Sequence, residues 1–530
     1  MAKQEKLPHI LIFNPDEWRG DFVHHAGCEA AVTPNLDQLA TEGVSFEHTY
    51  CQNPVCTPSR CSFMTGWYPH VHGHRTMNYM LHPEQGEPNL LAILKKAGFF
   101  VWWGGKNDLT PAQQWSDPDL GKSRYCDVRF GPTAEDWDRW HRAMTFPPDD
   151  RRGKPGADTY YSFMQGCLSS YAEHEAAGAP GGENEEDAPD FGDFDWAMVL
   201  GAIEFIRNWD ASNEKPLCLY LPLNYPHPEY GVEEPFFSMI DRSKVPPRLP
   251  TPDWDAAMKP SLLKGIAERQ HLQEWTEDRW TELRAVYLGM IARVDHQLGL
   301  LIQALKETGM YDDTAIFVFS DHGDFAGDYG IVEKTQNTFE DCLCHVPFVI
   351  KPPSGVPVAT QAGCVPGEPN RCDALVELVD FPATVYDLTG IEPGYWSFGK
   401  SLLPLVRGEM TDHRDAVFCE GGRLAGEVQA MERTGNHPPT PSWVYWPRLS
   451  LQSDDGPFHT KAAMCRTARY KYVMRLYETD EFYDLETDPG ETCNLIADVD
   501  LIAVVEAMRH RLLRWYMETV DVVPFAADSR

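Results

Sequence analysis

His9-Ile10-Leu11-Ile12-Phe13 is a short, unbroken apolar run, and Asn14-Pro15-Asp16-Glu17 follows it directly. A strand with one wet face alternates apolar and polar residues, whereas a continuous run of this length fits a strand buried on both faces. Runs of the same kind recur at 99–103, 217–223, 315–320 and 346–351. Stretches of helical period lie between them, at 34–43, at 88–98 and most clearly at 280–309. In the last, Leu283, Tyr287, Met290, Ile291, Val294, Leu298, Leu301 and Leu305 fall on one face, and Gly309 stands where a helix C-cap glycine is expected. Strands alternating with helices predict an α/β domain with a mostly parallel central sheet flanked by helices. Functional loops of such sheets gather beyond the carboxyl ends of the strands, so Asp16 and Glu17 already stand in a favoured place.

Two regions depart from this rhythm. Residues 149–193 are rich in Gly, Pro, Glu and Asp and read as an irregular acidic insertion. From about residue 411 the pattern changes: 470–474 and 481–485 read as strands, and 501–517 as an amphipathic helix. The expectation is a catalytic α/β domain over 1–410 and a smaller C-terminal α+β subdomain over 411–530. A chain of 530 residues buries an ample core without staples.

The net charge of −34 repels nucleic acid and anionic membranes, which excludes both as expected partners. It also repels a sulfated or phosphorylated substrate, so an anion-processing site would need its own cluster of cations. Fourteen cysteines are far less dense than in a small disulfide scaffold, and Cys218, Cys342 and Cys344 sit in apolar runs. No apolar stretch of signal-peptide length precedes the first strand, and no run approaches a membrane span. A cytoplasmic protein with reduced thiols is expected.

Four segments carry chemistry. Asp16-Glu17 at a strand end suits a metal site, although an isolated acidic pair is usually a solvated turn. The second segment is Cys56-Thr57-Pro58-Ser59-Arg60-Cys61-Ser62-Phe63-Met64-Thr65-Gly66. It resembles the signature of the formylglycine-dependent sulfatases of the alkaline-phosphatase superfamily, Cys-x-Pro-Ser-Arg followed by Thr-Gly. That resemblance implies an alkaline-phosphatase-like fold, a maturation enzyme that oxidises Cys56 to formylglycine, and one divalent cation. The chemistry of sulfate esters explains the need. A thiol adduct of sulfate has no easy exit, whereas a hydrated aldehyde carries two hydroxyls on one carbon. One attacks sulfur, and the other later loses its proton and expels sulfate. Arg60, one turn on, would hold the diol or the carboxylates.

The third segment, Gly104-Gly105-Lys106-Asn107-Asp108, is similar to the family's Gly-Lys-x-His motif, which assigns Lys106 to a sulfate oxygen. Asp108 departs from the motif and is not carried over. The fourth, Ser320-Asp321-His322-Gly323, ends an apolar run, and Lys334 follows it. The resemblance implies a metal held by Asp16, Glu17, the matured Cys56, Asp321 and His322, with Lys334 as a second sulfate-binding lysine. A mostly oxygen donor set with one imidazole suits Ca²⁺ first, with Mn²⁺ or Mg²⁺ as alternatives. His322 replaces the Asn of many family members and is similar to the choline-sulfatase and phosphonate-monoester-hydrolase branch. Glu17 departs from the usual Asp or Gln. Asn224-Tyr225-Pro226-His227-Pro228 resembles the Pro-His-x-Pro segment and assigns His227 to the sulfate and leaving group.

The reading that results is a sulfuric ester hydrolase acting on a small-molecule or saccharide sulfate, with Cys56, Arg60, Lys106, His227 and Lys334 as its catalytic group. The alternative is hydrolysis of phosphonate monoesters or phosphodiesters at the same site; a non-catalytic sulfated-glycan binder is the third reading. Asn78 is an expected extra sulfate contact. The stretch 423–461 mixes Arg433, His437, Trp443, Trp446 and Arg448 with His459 and Lys461, and the last two are the expected substrate contacts. His70, His72 and His74 read as supporting loop residues. Family relatives are often homo-oligomers, and nothing in the sequence fixes the state.

Overall fold

Burial on both faces should put the first apolar run at the centre of a sheet, and the computed structural model places it there. It describes residues 7–114, 122–136, 164–167, 193–210, 214–432, 445–452, 456–525 and 527. Among them, the main sheet comprises β1 (His9–Asn14), β2 (Val44–Tyr50), β3 (Phe100–Gly104), β4 (Val128–Phe130), β5 (Leu217–Pro222), β6 (Thr314–Phe319), β7 (His345–Val346), β8 (Phe348–Lys351) and β9 (Arg371–Glu377). The spatial order is β9-β2-β8-β6-β1-β5-β3-β4, with β7 paired to β2. β1 runs parallel to β5 and β6, β3 parallel to β5 and β4, and β9 parallel to β2. Only β8 and the short β7 run against their neighbours. The sheet is mixed and mostly parallel, as expected.

The side chains of β1 alternate between two cores. Leu11 and Phe13 pack with residues of α1 (Pro34–Glu42), while Ile10 and Ile12 pack with α2 (Cys56–Thr65) and α3 (Leu90–Lys96). On the first face lie also α4 (Phe194–Arg207) and α5 (Glu277–Glu307). The helix expected over 280–309 starts earlier because Thr276 caps it, its hydroxyl accepting from Arg279 N–H, with Glu277 and Asp278 in the positive first turn. Gly309, at φ 71°, follows its end.

Three expectations need correction. The run 346–351 is broken by Pro347, which has no N–H to donate, into β7 and β8, and β8 runs antiparallel. β2 and β9 were not foreseen. Both lie toward one edge, and their polar residues reach partial exposure, so neither reads as a continuous apolar run. The acidic stretch 149–193 lies outside the described residues except for 164–167 and 193; there, Met164–Cys167 pairs with Tyr230–Val232.

Two short elements complete the main body, α6 (Asp341–Cys344) and α7 (Asp380–Thr389). A second, antiparallel sheet follows, with β10 (Val417–Gly421), β11 (Ala462–Arg466), β12 (Tyr470–Arg475) and β13 (Glu481–Asp484) in sequence order. The sequence pointed to only the last two of these. α8 (Trp446–Leu451) lies between its first strands in the chain, and α9 (Ile502–Thr519) packs on the sheet through Val505, Met508, Leu512 and Trp515. Trp515 stacks on Phe418 at 4.6 Å. No helix of the described residues is long and apolar enough to cross a membrane.

Candidate active site

β1, β3, β5 and β6 are parallel, so the residues just beyond their carboxyl ends converge: Asp16 and Glu17, Lys106, His227, and Asp321 with His322. Cys56 opens α2 and meets them there. Two backbone devices aim the side chains. Gly105 has φ 126°, and a Cβ on it would lie 2.0 Å from the Pro222 carbonyl oxygen, so only glycine lets β3 turn out against β5. Lys106 N–H then donates to that same carbonyl at 2.8 Å. Glu17 sits in the left-handed region at φ 69°, with its N–H on Asp321 Oδ1 at 3.1 Å and its carbonyl accepting from Tyr287 Oη at 2.5 Å. The turn sends the two consecutive carboxylates different ways.

Asp16 faces the cluster. Arg60 binds Asp321 Oδ2 through Nε at 2.8 Å, Asp16 Oδ2 through Nη2 at 3.1 Å and Asn14 Oδ1 through Nη1 at 2.9 Å. All of these groups are buried. The fork therefore fixes two carboxylates at once, the second of the two expected partners of Arg60. Burial opposes ionisation of Asp16, yet Lys106 and Arg60 override it and hold the carboxyl well below the usual range. Lys106 Nζ bonds Asp16 Oδ2 and lies 3.6 Å from Cys56 Sγ.

Cys56 Sγ is 3.5 Å from Asp16 Oδ1 and 3.2 Å from His322 Nε2. Burial, reinforced by Asp16, pushes the thiol well above its ordinary pKa. It is held as a protonated, poorly nucleophilic group. His322 Nδ1 meets the Gly323 carbonyl at 3.0 Å, which places the proton on Nδ1 and turns the Nε2 lone pair inward. Asp16, Cys56, Asp321 and His322 each offer one donor atom, and these atoms lie within 4.8 Å of one another. Two carboxylates, an imidazole with its lone pair turned inward and one further donor fit a divalent cation.

Glu17 stands outside that four-donor group. Its Oε2 is 2.6 Å from Lys334 Nζ and 3.4 Å from His227 Nε2, and with Asp16 and His227 it forms a second convergence. Burial opposes charge on Lys334, but the carboxylates of Glu17 and Glu333 hold it protonated. His227 donates from Nδ1 to the Pro228 carbonyl at 2.5 Å, and burial, with Lys334 beside it, depresses its pKa. The imidazole is neutral, with Nε2 accepting from Tyr445 Oη at 2.8 Å. Sequence reasoning missed Tyr445, although it falls in the aromatic and basic stretch 423–461.

Asp108, the departure from the family motif, pairs with Lys106 at 3.0 Å. Asn78 is exposed, and its N–H meets Thr76 Oγ1 at 3.4 Å. His459 is a correction. It is wholly buried, with Nε2 on the Arg448 carbonyl at 2.8 Å, and burial depresses its pKa to about 3. It braces β11 against α8 and offers no face to a ligand. Lys461 is half-buried within reach of Glu420 and Glu427, so its charge is met by acids of the chain itself. Arg448 is likewise paired with Glu432. Arg433, His437 and Trp443 lie outside the described residues. His70 bonds Glu420 at 2.6 Å and the Thr519 hydroxyl at 3.0 Å, and His74 bonds Glu87 at 2.7 Å, which fits their reading as supporting residues.

A family model described as Sulfatase matches residues 8–391. Among curated relatives, the chain is 26% identical to a multifunctional alkaline phosphatase superfamily protein, PehA, of Trinickia caryophylli, covering 97% of this chain and 96% of that one. It is 25% identical to a choline-sulfatase of Rhizobium meliloti, covering 99% and 90%. Among solved structures, a phosphonate monoester hydrolase of Agrobacterium radiobacter superposes with a TM-score of 0.72 at 25% identity, covering 97% and 96%. The branch suggested by His322 is thus the branch in which similar proteins are found.

Proposed function

The chain belongs to the sulfatase family, and from that premise we propose that it hydrolyses a sulfate ester at Cys56 matured to formylglycine, beside one divalent cation. The observation that carries this reading is the convergence of Asp16, Cys56, Asp321 and His322 within 4.8 Å. Ca²⁺ is the cation of choice for that donor set, with Mn²⁺ next because of the imidazole. When bound, it would lower the pKa of the attacking hydroxyl and neutralise charge on the substrate.

The chain's own groups divide the remaining work. Arg60 fixes Asp16 and Asp321. Lys106, half-buried, and Lys334, fully buried, are charged and stand near Cys56, and they receive the oxygens on which charge grows. A hydroxyl of the aldehyde hydrate attacks sulfur, the ester S–O bond breaks, and the leaving oxygen takes a proton. His227 is neutral in this arrangement and accepts from Tyr445, so the proton comes from Lys334, or from Tyr445 with His227 as its partner. The second hydroxyl then loses its proton, sulfate leaves and the aldehyde re-forms.

Burial holds the unmodified Cys56 as a protonated, poorly nucleophilic thiol, so turnover needs the matured residue. Residues 56–60 are all buried in α2, so a maturation enzyme reading them as an extended peptide acts before the chain folds. The division into a catalytic domain over 1–410 and a C-terminal subdomain over 411–530 belongs to the same proposal.

A second reading, hydrolysis of a phosphonate monoester, is favoured by the similarity to the Agrobacterium radiobacter enzyme over nearly the whole chain. Sulfate and phosphonate groups share tetrahedral geometry, so one site serves both. Comparing kcat/KM for an aryl sulfate and an aryl phosphonate on the matured protein separates them. A phosphonate preference of several orders of magnitude overturns the sulfatase assignment. The mass of the peptide containing Cys56 tests maturation independently: oxidation to the aldehyde lowers it by about 18 Da.

A further inference from the structure

A second group of potential ligands lies outside the hydrolytic centre. Cys51 follows β2, Cys344 ends α6 and Cys419 lies in β10, so three segments far apart in sequence bring their thiols to one place. All three are free and buried. Their sulfurs lie within 4.8 Å of one another; Cys344 and Cys419 are 3.6 Å apart, and the Cys51 thiol donates to the Leu343 carbonyl at 3.9 Å. The backbone holds the triangle from two sides, with Cys51 N–H on the Cys344 carbonyl at 2.9 Å and Glu420 N–H on the Gln52 carbonyl at 3.0 Å.

The triangle has the size of a coordination sphere. Three sulfurs each about 2.3 Å from one ion stand about 3.7–4.0 Å apart; the Cys344–Cys419 pair is already at 3.6 Å, and Cys51 lies within 4.8 Å of both. No imidazole or carboxylate donor completes this group among the described residues. Zn²⁺ takes four ligands, whereas soft thiolates in a three-ligand set select Cu(I). We propose that Cys51, Cys344 and Cys419 form a trigonal thiolate site for Cu(I) that staples the four-stranded sheet to the main sheet. Loading replaces three S–H bonds by three Cu–S bonds and releases the protons to solvent, with no change of oxidation state. Lys471 lies near enough to Cys344 to offset part of the resulting negative charge.

The full-length reduced protein, titrated anaerobically with Cu(I) against a competing chelator, is expected to withhold one equivalent. X-ray absorption at the copper edge should find three sulfur neighbours. Cys419→Ser should lose the tightly held equivalent while hydrolysis of an aryl ester persists, and Cys364→Ser with Cys493→Ser, away from the triangle, should keep it. Retention of that equivalent by a folded Cys419→Ser variant overturns the site. So does copper bound by two sulfurs or by nitrogen and oxygen, a tighter grip on Zn²⁺ than on Cu(I), or a Cys344–Cys419 disulfide in the protein as isolated. If Cys419→Ser fails to fold, the X-ray absorption of the unaltered protein decides by itself.

Discussion

Two buried charged clusters in this molecule are built from the same kinds of residue and behave differently. At the strand ends, Asp16, Asp321, Arg60 and Lys106 surround Cys56 and His322. At the junction with the second sheet, Lys471 donates to Asp341 at 2.6 Å, Glu491 at 2.7 Å and the Phe339 carbonyl at 2.8 Å, while Lys259 binds Glu340 and Tyr483 Oη, each at 3.1 Å. Three acceptors of the chain take the three ammonium protons of Lys471, so that cation is closed off. Around Cys56, four ligand atoms are aimed at one another instead. Burial and charge do not tell a site from a strut; the direction in which unsatisfied donors and acceptors point does.

The largest expected effect tests the open cluster. Cys56→Ala should lower kcat of the matured enzyme by about 10⁴-fold or more, as removal of a nucleophile does, with little change in melting temperature. A folded variant with undiminished turnover would dissolve the distinction. At the closed cluster the pattern should invert. Lys471→Met leaves Glu491 buried without its cation and Asp341 with Arg466 alone, and should cost about 3 kcal/mol in urea unfolding, with kcat/KM of the folded enzyme unchanged. A loss of activity without loss of stability would show that the junction reaches the site.

His459 sharpens the comparison through pH. Its folded pKa is depressed to about 3, so the unfolded chain takes up a proton near pH 6.5 that the folded chain refuses. Stability from this group is therefore complete above about pH 6.5 and falls by about 1.4 kcal/mol per pH unit below it. His459→Gln should flatten the acid limb of the stability curve, and an unchanged limb would return His459 to the list of ligand contacts. The smallest effect belongs to Tyr445→Phe, which removes the hydroxyl on His227 Nε2. About 1 kcal/mol, or roughly fivefold in kcat, is expected for esters with poor leaving groups. Activated aryl esters should respond less, and an equal loss for both would argue against a role in proton delivery.

Strands buried on both faces were legible because nothing but a continuous apolar run survives there, as in β1, β5 and β6. The edge strand β9 and its neighbour β2 were not, since partial exposure admits Glu47, His48, Arg371 and Asp373. At the site, Cys56, Lys106 and His322 were legible from local motifs. Tyr445 was not, because what matters is its contact with His227, which lies 218 positions away. His459 and Lys461 misled for the complementary reason: a basic residue in an aromatic stretch looks the same whether it faces solvent or its own carboxylates.

The sequence by itself determined the α/β class, the family resemblance carried by Cys56–Arg60, and the need for a local cationic pocket in a chain of net charge −34. Only the tertiary structure decided that Arg60 clamps Asp16 and Asp321, that Glu17 turns to Lys334 rather than to the four-donor group, and that Cys51, Cys344 and Cys419 meet. The reason is physical. Backbone propensity and hydrophobic period act over a few residues and leave their mark in order along the chain. Hydrogen bonds, ion pairs and ligand sets form between atoms brought together by packing, and their partners lie wherever the sheet order puts them.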